Sequence, residues 1–127
     1  MFDIFKKRLK RFQAAHIAIS VAEIIVKHNV DDKSYVLAAD KLIKIKLDNK
    51  SRIDFKDYKI SNEEGVAIAK AALFLARNET EKVIEEYKYQ EYYAKARAEG
   101  SWPNRGIDNN GTRLMNKIDS KLLIFKN

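Results

Sequence analysis

The sequence predicts an all-α fold, a single domain of about five helices spanning residues 1–127, and three observations carry that prediction. Apolar residues recur at spacings of three and four along most of the chain, the period that turns one helical face toward a core. Two stretches, 14–26 and 66–76, are apolar around almost their whole circumference, as helices in a domain interior are. A chain of 127 residues, 46% hydrophobic and 34% charged, can remove about two-thirds of its unfolded surface from water, so it needs no covalent or metal support.

The first predicted helix covers 2–28. Phe2, Phe5, Leu9 and Phe12 form a stripe opposite Lys6, Lys7 and Lys10, and from residue 13 the pattern inverts. There Gln13, His16, Ser20, Glu23 and Lys27 make a narrow polar stripe in an otherwise apolar segment. Cations at Lys27 and His28 suit a helix C-terminus. Asp31 and Asp32 are placed to cap a second helix over 32–47, with Val36, Ala39, Ile43 and Leu47 on one face. A small β-hairpin over 43–58 competes with its end, because Ile43, Ile45 and Leu47, then Ile53 and Phe55, alternate with polar residues.

Ser61 with Glu64 is a capping box. It opens a third helix, 62–77, whose alanine-rich body marks the centre of the core. Asn78 with Glu81 offers a second cap, and a charged helix over 79–99 follows until Gly100. The fifth helix, 112–124, presents Leu114, Met115, Ile118, Leu122 and Phe125 inward.

Composition excludes several chemistries. With no Cys, disulfides, thiolate zinc sites, iron–sulfur clusters and a cysteine nucleophile are ruled out. His16 and His28 lie twelve residues apart, about 120° around a helix, so they do not share a face and no His-based metal site is expected. No Gly-rich phosphate loop and no nucleophile elbow is present. Paired carboxylates at Glu63–Glu64 and Glu85–Glu86 fit helix-start and solvated positions. No cofactor is expected.

Charge is uneven. Residues 1–30 carry six cations and two anions, 61–100 six and eight, and 101–127 five and two. The ends are basic and the middle acidic, so a basic patch built from both termini requires the fold to bring them together. The basic-then-apolar start, Lys6 to Val26, imitates a secretory signal. It is read instead as the beginning of the domain, because Phe2, Ile4 and Phe5 precede the basic residues and His16, Ser20 and Glu23 interrupt the apolar run. Neither apolar stretch has the roughly 20 residues a membrane span needs, and a cytoplasmic location is expected. Ile, Lys and Asn supply 41 of the residues, a bias that suggests an AT-rich coding source such as bacteria or their phages and other mobile elements.

Two segments stand out as contact surfaces. Residues 100–111 hold the only Trp, the only Pro and three of the four glycines, and loops of this length are often functional. Tyr87, Tyr89, Tyr92 and Tyr93 occupy more than one helical face, so they cannot all be core and at least one pair should be exposed. Tyr and Trp bring large, rigid contact area to interfaces, and Glu85, Glu86 and Glu91 beside them favour a protein over a nucleic acid.

The expected function is therefore non-catalytic: a small inhibitor or adaptor that binds a protein partner, or a second copy of itself, through Tyr89, Tyr92, Tyr93, Trp102 and Arg105. A competing reading gives nucleic-acid binding to Lys6, Lys7, Arg8, Lys10, Arg11, Arg113 and Lys117, joined by Arg105. A third lays the stripe of Phe2, Phe5, Leu9 and Phe12 on an anionic membrane. The last is a metal-dependent nuclease, in which Glu23 and Asp40 or Asp48 join Asp54 around Mg²⁺. It rests on Asp54-Phe55-Lys56, a pattern repeated at Asp57-Tyr58-Lys59 and hence of little specificity.

Overall fold

The computed structural model describes residues 7–28, 58–102 and 109–127. Among them lie a short strand β1 (Lys7–Arg8), helix α1 (Arg11–His28), a short strand β2 (Tyr58–Lys59), and helices α2 (Asn62–Asn78), α3 (Thr80–Ala98) and α4 (Asn110–Ile118). A 3-10 turn at Asp119–Lys121 follows α4. The helical class holds, with a two-stranded parallel sheet added to it. The expected helix at 32–47, and residues 43–57 of the alternative hairpin, lie outside the described residues. Among the described residues, no helix is long and apolar enough to cross a membrane.

The core is a packing of α1 on α2. Ala14, Ala18, Val21 and Ala22 from α1 meet Ile68, Ala69, Ala72 and Leu75 from α2, all of them fully buried. The abundance of alanine at these positions lets two helix axes approach toward the short end of the usual 8–10 Å. Val83 of α3, Leu114 and Ile118 of α4, and Leu122 and Phe125 beyond it close the cluster. The capping box at the start of α2 forms in full: the Ser61 N–H donates to Glu64 Oε1 at 2.9 Å, and the Glu64 N–H donates to Ser61 Oγ at 3.1 Å.

Three expectations need correction. Helix 2–28 does not extend through residues 7–10, where the backbone is instead extended. Lys7 and Arg8 pair with Tyr58 and Lys59 in parallel register, and Lys10 bridges to Lys126. Helix α1 begins at Arg11, capped by Gln13, whose Oε1 accepts from the Lys10 N–H at 2.8 Å while its Nε2 donates to Tyr58 Oη at 2.9 Å. Long-range pairing overrides the local helical spacing, and it splits the apolar stripe: Leu9 is buried, whereas Phe12 on α1 is 51% exposed and packs edge-on against His16.

Second, the fifth helix is shorter than 112–124. Asn109 caps it, with Oδ1 accepting from the Thr112 N–H at 3.2 Å. It stops at Ile118, and Leu122 and Phe125 reach the core from the 3-10 turn and the tail. Third, Asn78 does not cap the next helix. It ends α2, its Nδ2 donating back to Phe74 O at 3.1 Å, and α3 starts at Thr80 behind Glu79 with no side-chain cap. Instead Glu79 accepts an ion pair from Lys117 at 3.1 Å, which ties the start of α3 to the end of α4.

Candidate contact surface

Helix α3 is joined to the core along one side and left open along another. On the closed side, Lys27 at the end of α1 lies 4.5 Å above the Tyr87 ring and bonds Glu91 Oε1 at 3.0 Å. Glu86 is buried, accepting from Gln90 Nε2 at 2.9 Å and from Asn110 Nδ2 at 3.3 Å. Glu85 pairs with Lys82 at 3.6 Å. Of the acidic flank, Glu86 is thus engaged inside the fold, while Glu85 and Glu91 stay at the surface, each paired with a lysine.

Exposed Tyr92 and Arg97 on the open side, with half-buried Tyr93 and Tyr89, whose hydroxyl is buried, follow spacings of three and four that place them next to one another along the helix. The Tyr89 ring lies 6.3 Å from Tyr92 and 6.0 Å from Tyr93, in tilted contacts. The Arg97 guanidinium then sits 5.8 Å from the Tyr93 ring centre and 4.4 Å from that of Trp102. Both distances lie in the range in which a cation is attracted to an aromatic face.

The backbone sets this arrangement at Gly100, whose φ of +88° is a conformation that L side chains rarely adopt. The Gly100 N–H donates to Arg97 O at 3.0 Å and the Ser101 N–H to Ala96 O at 2.8 Å, the paired closure of a Schellman motif. That closure reverses the chain at the end of α3 and leaves Trp102 over Arg97.

Of the expected protein-contact residues, the structure joins Tyr89, Tyr92, Tyr93 and Trp102 into one patch. Arg105 lies outside the described residues. Exposure is graded: Trp102 is 70% and Tyr92 59% exposed, while Tyr87, Tyr89 and Tyr93 are half-buried. The expected exposed pair of tyrosines is therefore one exposed ring with half-buried neighbours. Arg97 was missed by the sequence reading, although its place four residues after Tyr93 and five before Trp102 was a usable signal.

The expected nucleic-acid residues scatter. Lys6 lies outside the described residues; Lys7, Arg8 and Lys10 are exposed at the sheet. Arg11 is instead used internally, its Nε donating to Phe125 O at 3.2 Å and its Nη1 lying 3.8 Å from Asp119. Lys117 is paired with Glu79, and Arg113 is exposed on α4. For the nuclease reading, Glu23 is half-buried on α1, Asp40, Asp48, Asp54 and Asp57 lie outside the described residues, and no group of three metal-ligating side chains occurs among the described residues. Compared with known proteins, the chain has no significant match to a family model, a curated protein or a solved structure.

Proposed function

We propose that the chain is a non-catalytic binding protein that engages a protein partner through Trp102, Tyr92, Tyr93, Tyr89 and Arg97. One observation carries this reading: a 70% exposed Trp102 is stacked on Arg97 at 4.4 Å and continues into three tyrosines. Trp, Tyr and Arg are the residue types that concentrate binding energy at protein interfaces. Each large aromatic ring offers about 150–250 Å² of surface to bury. The Schellman turn and the cation–π contact hold the tryptophan before a partner arrives, so less conformational entropy is lost on association.

The membrane reading loses support, because Leu9 of the proposed stripe is committed to the core and the stripe is not one helical face. Affinity capture on the tagged protein from nuclease-treated extract, compared with a Tyr92→Ala/Trp102→Ala variant of verified fold, tests the proposal. A stoichiometric protein recovered by the parent and lost by the variant supports it; equal recovery by both refutes it. Sedimentation of the purified chain shows whether that protein is a second copy.

A further inference from the structure

We propose that the outer face of the parallel sheet is a second binding surface, one that takes the phosphate backbone of a nucleic acid on Arg8, Lys10, Lys59 and Lys126. Successive side chains of a strand point to opposite faces, and residues in register on neighbouring parallel strands point to the same one. Arg8 is in register with Lys59, and Lys10 with Lys126. The Arg11 N–H donating to Lys126 O at 2.7 Å fixes the C-terminal tail beside this segment.

Burial follows this alternation from Leu9 onward, whereas Lys7, in register with Tyr58, is exposed like Arg8. Leu9 and Phe125 are buried, and Tyr58 and Ile60 pack partly against the core. Each of the four cations is the sequence neighbour of an inward residue, and each is exposed. Among the described residues none of the four makes an ion pair, and the nearby Asp119 is paired with Arg11. Two chain ends and the segment before α2 thus build one cationic face, although they are far apart in sequence.

The arrangement fits a run of phosphates. In extended chain, positions two residues apart, such as Arg8 in β1 and Lys10 just beyond it, repeat at about 6.6 Å, and paired segments lie about 4.8 Å apart. Four exposed cations on paired segments can meet several charges of a polyanion at once. Exposed Phe12, Leu123 and Ile124 lie within three residues of Lys10 and Lys126, so binding to an anionic membrane is the outcome that the vesicle comparison below excludes.

Fluorescence anisotropy with duplex and single-stranded DNA of about 20 nucleotides tests this, since four phosphate contacts give log–log salt slopes of about −3.6 and −2.8 respectively. On the duplex, affinity should fall about 150-fold from 50 to 200 mM salt. The R8Q/K10Q/K59Q/K126Q variant should bring the slope near zero and weaken binding at least about tenfold at low salt. The double variant K59Q/K126Q, which leaves β1 untouched, should lower the duplex slope by about 1.8. Replacing four other exposed lysines, Lys70, Lys88, Lys95 and Lys121, by Gln makes the same change in net charge and should alter affinity less than twofold.

Failure of the parent to bind DNA, unchanged slopes in the sheet variants, equal losses in the control variant, or tighter binding to phosphatidylserine-containing vesicles than to DNA would each overturn the proposal. Trp102→Ala should leave DNA binding intact, so this test and that of the aromatic surface fail independently.

Discussion

Helices α2 and α3 are separated by one residue and have similar lengths, 17 and 19, yet nine residues of α2 are buried and only three of α3. Helix α2 has a complete capping box and a body of Ala, Ile and Leu that touches neighbours on most sides. Helix α3 starts without a side-chain cap, contributes Val83, Glu86 and Ala96 to the interior, and spends its stronger backbone closure at its far end. The two helices therefore separate stability from contact. A helix that gives few residues to the core can carry exposed aromatic rings, here Tyr92 with Trp102 just beyond its end.

Truncating α2 should have the largest effect. Leu75 is fully buried between α1 and α2, and Leu→Ala at such a site costs about 2–5 kcal/mol, the lost transfer energy plus the cavity left behind. Urea denaturation of Leu75→Ala should show a midpoint far below the parent's with a similar slope. A cost below about 1 kcal/mol would mean that the α1–α2 contact is not the stabilising centre.

Next comes Gly100→Ala. A Cβ there meets nothing within 4 Å, so the cost is confined to the left-handed backbone, about 1–2 kcal/mol. Because the Schellman turn also aims Trp102, this change should weaken partner capture by more than its stability cost explains. Capture that merely tracks stability would detach the turn from the contact surface. Ser61→Ala removes half of the capping box at the other end of the comparison and should cost about 1 kcal/mol, measured by the same denaturation, with capture unaffected.

Legibility in the sequence follows the range of the interactions. Helix α2 is readable because Ser61, Glu64 and the apolar run sit within one local window, and the end of α3 is marked by Gly100, whereas the local cap signal at Asn78 and Glu81 is not used. Residues 7–10 were not readable. The spacing of Phe5, Leu9 and Phe12 suits a helix, and nothing local announces that Tyr58 and Lys126, distant in sequence, supply the backbone partners that hold this segment extended. The cationic face was hidden with it, since Lys59 and Lys126 join Arg8 and Lys10 only through that register. In the aromatic patch the rings were visible as residue types, whereas Arg97 was one cation in a highly charged helix until the reversal at Gly100 put Trp102 above it. The burial of Glu86 and the pairing of Glu85 and Glu91 were not legible, because their partners Asn110, Lys82 and Lys27 lie partly on other helices.

The smallest expected change in stability belongs to Trp102→Ala, and it gives the sharpest test of the division between the two helices. At 70% exposure the indole loses little buried area on truncation, and its stacking on Arg97 is an exposed cation–π contact of about 0.5–1 kcal/mol. The denaturation midpoint should therefore shift only slightly, against the several kcal/mol expected of Leu75→Ala, while partner capture is lost. A large destabilisation would show that Trp102 supports the fold, as a plug at the end of α3, and would make any loss of binding uninformative. Arg97→Lys separates the two contributions further. It keeps the charge but gives up the planar stacking surface, so a held tryptophan predicts weaker capture at nearly constant stability. Unchanged capture would mean that Trp102 binds without being fixed in advance.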